Sequence, residues 1–246
     1  MSSTLARKAA CRNLKIYRFC CFAIVSFSLS VAEAIIIENG DFETGDSTGW
    51  TSNQDGDSAI GIYTGTGGTG TPLPAAGDGF FAFSGDQSGP SQNIWIQAVT
   101  LPASFSEILF SFDLSLYNTG TDYVIPDPNT LAFSGSTNQQ FRMDILTSAS
   151  AFDSLAPADV ITNVYQTSPG DALQLAWTTI SMDLTASLTP YAGQAVQLRF
   201  AGVDTNGPFG VGFDNVELTS VPEPSVTIAA IGGIVFLVCL RRRLFK

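Results

Sequence analysis

The cations of this chain sit almost entirely at its two ends, and that placement decides which stretch can be a folded body. Of 11 Lys and Arg, Arg7, Lys8, Arg12, Lys15 and Arg18 precede an apolar stretch at residues 19–31, and Arg241, Arg242, Arg243 and Lys246 follow another at 226–240. Uncharged stretches of this kind enter a bilayer, while the guanidinium groups stay on its cytoplasmic side. Between them only Arg142 and Arg199 stand against 21 of the 22 acids, so residues 35–224 carry a formal net charge of −19. Such a field repels nucleic-acid phosphates and anionic headgroups and favours calcium, neutral glycans and cationic partners.

The amino-terminal stretch closes on Ala32-Glu33-Ala34. A basic leader, an apolar core and small residues at this spacing read as a secretory signal peptide over residues 1–34, cut after Ala34. The carboxyl-terminal stretch of 226–240 is shorter than the roughly 17 to 25 residues of a stable span, which suits temporary insertion. Residues 220–246 are therefore read as tether and tail, leaving one domain at 35–219.

All four cysteines, Cys11, Cys20, Cys21 and Cys239, fall in the two ends, and the chain has no histidine. The body has no disulfide to form, and Cys/His zinc sites, Cys/His dyads and Ser-His-Asp triads are excluded. Any chemistry must come from carboxylates, hydroxyls, tyrosines or a bound hard cation.

A body of about 190 residues is ample for one core. It has no lysine and is rich in Gly, Thr, Ser, Asn and Asp, a composition that makes turns and strands and poor helices. Alternation is clearest at 107–117, where Phe110, Phe112, Leu114 and Leu116 share one face and Leu109, Ser111, Asp113 and Ser115 the other. The same period recurs at Phe141, Met143 and Ile145 and at Val196, Leu198 and Phe200. These are half-buried antiparallel strands. Further strands are expected at 58–63, 79–83, 92–101, 172–184 and 212–218, with loops at 64–74 and 86–90 and one short helical turn at 185–192. The pattern predicts an all-β fold, a two-sheet antiparallel β-sandwich, with a signal helix before it and a single transmembrane helix after it.

Pro222-Glu223-Pro224, the short apolar stretch and Arg241, Arg242 and Arg243 follow one another in the order of a PEP-CTERM sorting signal, which this tail closely resembles. The resemblance implies export by a Gram-negative cell, transient residence in the inner membrane and processing by an exosortase-type enzyme, typically where exopolysaccharide is built. The mature form would then lie at the cell-envelope surface or in the extracellular matrix. An uncut transmembrane anchor is the plainer alternative.

The body opens on Asn39-Gly40-Asp41-Phe42-Glu43 and closes on Asp214-Asn215-Val216. These ends are similar to the first and last strands of carbohydrate-binding-module-like jelly rolls. The resemblance implies that Glu43 and Asp214, with Asp41 as a weaker third, share a structural calcium; the plainer reading is that they hydrogen-bond strand ends. Aromatic side chains are the usual platforms for sugar rings. Trp95 and Trp177 are the expected ligand contacts, with Tyr117 and Tyr165 as further candidates, while Trp50 is expected in the core. Arg142 and Arg199 are expected to pair with acids such as Asp144 or Asp204.

The favoured reading is an exported, noncatalytic surface or matrix protein that holds glycan. Two others stay open, a carbohydrate-active enzyme working through two carboxylates and a structural or adhesion protein with no small ligand.

Overall fold

The computed structural model describes residues 33–35, 37–65 and 79–223. The expected signal helix, the terminal helix, Ala32, Pro224 and the arginine cluster Arg241, Arg242 and Arg243 lie outside the described residues, as does most of the expected loop at 64–74. Among the described residues no helix is long and apolar enough to cross a membrane.

The domain is all-β. Its strands are β1 Glu33–Ile35, β2 Thr51–Thr64, β3 Phe80–Thr100, β4 Glu107–Asn118, β5 Gln140–Thr147, β6 Val160–Gln166, β7 Gln174–Asp183, β8 Ala195–Asp204 and β9 Phe209–Val221. Among the described residues the one short helix, α1, spans Thr185–Leu188 and runs into a 3-10 turn at Thr189–Tyr191, where a short helical turn is expected. All described pairings are antiparallel.

The two layers share a long bent hairpin. The carboxyl half of β3 pairs with β8 from Ser91↔Asp204 to Thr100↔Ala195, whereas its amino half pairs with β9 from Ala82↔Phe213 to Gly85↔Gly210. Strand β2 follows β3 through both halves, shifting register between Gly56 and Ser58. The bend makes two five-stranded sheets, β6-β5-β8-β3-β2 and β7-β4-β9-β3-β2, with β1 added to β9. Residues 86–90, expected as a loop from Asp86 to Pro90, are the corner of this continuous strand. A bulge lets a strand turn from one sheet to the other without leaving the ladder.

Alternation places the core where the sequence puts it. Phe110, Phe112 and Leu114 of β4 face Phe141, Met143, Leu198 and Phe200 of the opposite sheet in one cluster. Phe200 and Phe213 stack across the gap with ring centroids 4.1 Å apart and planes 4° from parallel. Trp50 lies in this core as expected, against Phe42, Phe200 and Phe213, and its indole N–H donates to the Asn39 carbonyl at 3.1 Å.

The outer face of the first sheet is closed by loops. Ile94, Ala201 and Val203 pack under Leu131, with Ile96, Phe133 and Leu155 around them. Beside this patch Asp144 takes both guanidinium groups, Arg142 at 2.6 Å and Arg199 at 2.6 Å. Arg199 also donates to the carbonyls of Phe152 and Ser154, tying the loop after β5 to the sheet. Both arginines thus pair with Asp144; Asp204 instead accepts from the backbone and hydroxyl of Ser91.

Two expected boundaries move. The segment at Asn39 to Glu43, expected as the first strand, is a series of turns. It still lies against the last strand, because Val216 N–H donates to the Gly40 carbonyl at 2.9 Å, and a side chain on Gly40 would meet the Val216 carbonyl at 2.3 Å. At the other end β9 continues through Val221, past the expected limit at 219. The Val221 carbonyl is held there by the backbone N–H and the hydroxyl of Ser106. Ala34, the expected last residue of the signal, pairs with Thr219 as the middle of β1.

Candidate functional site

The outer face of the second sheet carries an aromatic cluster separate from the core. Strand alternation buries Ala82 and Phe213 between the sheets and so turns Phe81, Phe83 and Gly212 outward. Their neighbours Tyr63 and Gly61 on β2, in register with Phe81 and Phe83, turn the same way. From the opposite flank Trp177 of β7 lays its indole over Gly212 against Phe81, at 5.5 Å and 81°. Tyr63 meets Phe83 at 5.2 Å and 74°.

Glycine makes this arrangement possible. A Cβ on Gly212 would lie 3.1 Å from the Trp177 ring, one on Gly85 2.5 Å from Phe83 and one on Gly210 3.2 Å from Phe83. The Trp177 and Phe83 rings come this close to the strand backbone because these glycines carry no side chains. Phe81 is fully buried and Phe83 nearly so, while Tyr63 and Trp177 are half-buried at the margins. The Trp177 indole N–H has no hydrogen-bond partner.

Carboxylates border the rings. Asp113 on β4 pairs with Asp214 on β9 and with Thr179 on β7, two residues from Trp177. Asp113 accepts from the Thr179 hydroxyl at 2.5 Å and from the Asn215 amide at 3.0 Å. Asp214, wholly buried, accepts from the Asn215 backbone N–H at 2.8 Å. Asn215 adopts φ 49° at the irregularity where β4 and β9 shift register between Ser111 and Asp113. Asp113 and Asp214 are thus direct cross-strand partners beside a bulge.

The expected site residues fall in different places. Trp177 is on this outer face. Trp95 is 1% exposed and packs in the core against Phe42 and Phe213, so it is a core residue and not a ligand platform. Tyr117 and Tyr165 are half-buried; Tyr165 packs on Phe141, and burial and then the charge of Asp171 push its phenol pKa up. Tyr63, Phe81, Phe83 and Asp113 were not anticipated as site residues. Their signal is an aromatic two positions from a glycine, in Gly61-Ile62-Tyr63 and Phe83-Ser84-Gly85.

Of the expected calcium residues, Glu43 accepts from the backbone N–H groups of Gly79 and Phe80 at 2.7 and 2.9 Å, and Asp41 accepts weakly from Glu43 N–H at 3.4 Å. Among the described residues no three His, Cys, Asp or Glu side chains gather as a metal-holding group. The contact of Val216 with Gly40 nevertheless brings the turn bearing Asp41 and Glu43 to the strand bearing Asp214.

No family model and no curated protein matches this chain. Among solved structures it is similar to the enzymatically active domain of tailspike protein 4 of bacteriophage CBA120, at 13% identity and a TM-score of 0.44, covering 75% of this chain but only 21% of that one. A Stig cyclase, Fisc, from Fischerella sp. TAU matches at 19% identity and a TM-score of 0.47, covering 79% of this chain and 100% of the other. A carbohydrate-binding module, TmCBM61 in complex with beta-1,4-galactotriose, matches at 10% identity and a TM-score of 0.42, covering 76% and 99%.

Proposed function

We propose that this chain is an exported, noncatalytic surface or matrix protein whose sandwich holds glycan on the outer face of its second sheet. The observation that supports this reading is the pair of half-buried rings, Trp177 and Tyr63, which pack on the buried Phe81 and Phe83 over a glycine floor with Asp113 at the border. Partly exposed aromatic rings offer apolar surface to the C–H faces of sugars, and a bordering carboxylate accepts hydroxyl protons. Calcium held at Glu43 and Asp214, with Asp41 assisting, would stabilise the junction of the opening turn and the last strand. Carboxylate and carbonyl oxygens are the ligands that cation takes.

The test is titration of the purified full chain with a panel of soluble oligosaccharides. Binding that is lost in Trp177→Ala supports the reading, and absence of binding to every member of the panel rejects it. The pairing of Asp113 with Asp214 favours one second reading, a carbohydrate-active enzyme using two carboxylates, since cross-strand neighbours lie near the separation such enzymes need. Release of reducing sugar that is abolished in Asp113→Asn would establish that reading instead.

The sorting route is part of the proposal. Ala32 and Ala34 mark the signal cut, and Pro222, Glu223, Pro224, Arg241, Arg242 and Arg243 mark the segment read by an exosortase-type enzyme after the export machinery has delivered the chain. Intact mass of the native product tests both ends together. A full-length polypeptide dissolved in the cytosol would reject this route.

A further inference from the structure

We infer that strand β7 is a docking edge for a second copy of this chain, whose own β7 adds to it antiparallel and joins the second sheets of two molecules into one.

Among the described residues β7 pairs with β4 alone and ends its sheet. Most of its residues are exposed, and an edge strand leaves half of its N–H and C=O groups outside any ladder. Folded proteins blunt such edges with charge, proline, bulges or shortness. The other margins are blunted in these ways. Strand β2 carries Asp55 and Asp57, β6 is seven residues long and shifts register twice against β5, and β1 has three residues. Strand β7 carries no such device between Thr178 and Met182, because its register shift lies before Thr178 and its one acid, Asp183, is its last residue. Thr178, Thr179 and Ile180 are β-branched and favour an extended chain.

This segment is complementary to itself. A dyad at Ile180 sets Ile180 against Ile180, Thr179 against Ser181 and Thr178 against Met182. Each pair faces alike: Thr178, Ile180 and Met182 oppose the core residues Leu114, Phe112 and Phe110, whereas Thr179 and Ser181 oppose Asp113 and Ser111 of the outer face. Asp183 falls opposite Trp177, so no carboxylate meets another. Met182, 39% exposed, gains cover from Thr178 of the other copy. Charge selects this meeting point, since a body of net charge −19 repels its own kind on other approaches, while residues 174–182 bring no charge to the contact. A twofold contact of this kind closes at a dimer. Both Trp177 rings then stand on one outer face, about 20 Å apart along the strands, and on the glycan reading above a long chain that reaches both gains from two contacts at once.

Sedimentation equilibrium of the purified full chain in a non-ionic detergent tests the inference. A weak monomer–dimer equilibrium is expected, because one strand pair buries less than the roughly 1,200 Å² of a standard interface. Added salt should strengthen it by screening two acidic bodies from each other. Thr178→Lys/Met182→Lys sets lysine opposite lysine twice and should weaken the dimer at least about tenfold, and Thr178→Glu/Met182→Glu should do the same. An equimolar mixture of the two variants should restore it, since lysine then faces glutamate at both pairs. The two positions are exposed, and an unchanged urea midpoint shows that a variant is folded. Should the variants fail to fold, slower amide exchange of residues 178–182 at higher concentration of the unaltered chain still decides. A chain that stays monomeric at millimolar concentration overturns the inference. So does a dimer indifferent to both variants, which belongs to the terminal apolar segments, and so does a loss that mixing fails to recover. None of these outcomes touches the glycan reading, which oligosaccharide titration tests separately.

Discussion

Asp144 on β5 and Arg199 on β8 are backbone partners across the ladder, and their side chains close an ion pair of 2.6 Å with no exposed surface on either. Removing one member of a buried pair leaves the other uncompensated, a cost of about 3–5 kcal/mol. Arg199→Met should therefore lower the urea midpoint sharply, and it should also free the loop at Phe152 and Ser154 to limited proteolysis. An unchanged midpoint would show that the pair contributes nothing net.

The same pair sets a pH dependence. Burial raises the Asp144 pKa, but hydrogen bonds from Arg142 and the charges of Arg199 and Arg142 outweigh it, and the net shift is downward. A carboxylate with a native pKa below its unfolded value, about 3.9, stabilises the fold above that value. Its contribution is lost as pH falls through the lowered native value. Urea midpoints measured between pH 7 and pH 2 should converge for the unaltered chain and Asp144→Asn at the acid end; parallel curves would contradict the assignment.

Phe213 touches Phe42, Trp50, Trp95 and Phe200 at once. Phe213→Ala opens a cavity where the sheets meet and should cost about 3–5 kcal/mol. Chemical denaturation followed by tryptophan fluorescence reads this directly, because Trp50 and Trp95 line the gap.

Gly212 controls the outer face without belonging to the core. Gly212→Val places its Cβ about where the Trp177 ring approaches to 3.1 Å, so the indole must swing away. Glycan affinity should drop at least about tenfold, the scale of one aromatic stacking contact, with only a small change in thermal midpoint. Undiminished binding would move the ligand site elsewhere.

If calcium joins Glu43 to Asp214, adding it to the full chain should raise the melting temperature and a chelator should reverse the rise. Glu43→Gln and Asp214→Asn should each abolish the shift. A midpoint indifferent to calcium removes the metal from the account.

The strands that a reader can find in this sequence are those with one wet and one dry face. At β4 the alternation from Phe110 to Leu116 fixes both the element and its orientation. Strand β6 escapes notice because every residue of Val160–Gln166 is half-buried, leaving no contrast between its faces. The corner at Asp86 to Pro90 has the composition of a loop, yet it lies in a strand because the ladder with β2 carries it from one sheet to the other. Trp95 misleads for a related reason. Its flanking Ile94 and Ile96 are apolar too, which marks a strand covered on both sides and not an exposed platform. Trp177, among Thr and Ser on an edge strand, has the opposite setting. The pairing of Asp113 with Asp214 is beyond sequence reading, since it depends on a bulge that sets residues of distant strands opposite each other.

Strand β9 runs between β4 on one flank and β3 and β1 on the other, and it ends with Val221 clasped by Ser106. Antiparallel hydrogen bonds lie across the strand axis. Tension applied at Val221 along that axis therefore loads many bonds side by side instead of unzipping them in turn, and the domain is built to resist traction at its carboxyl end.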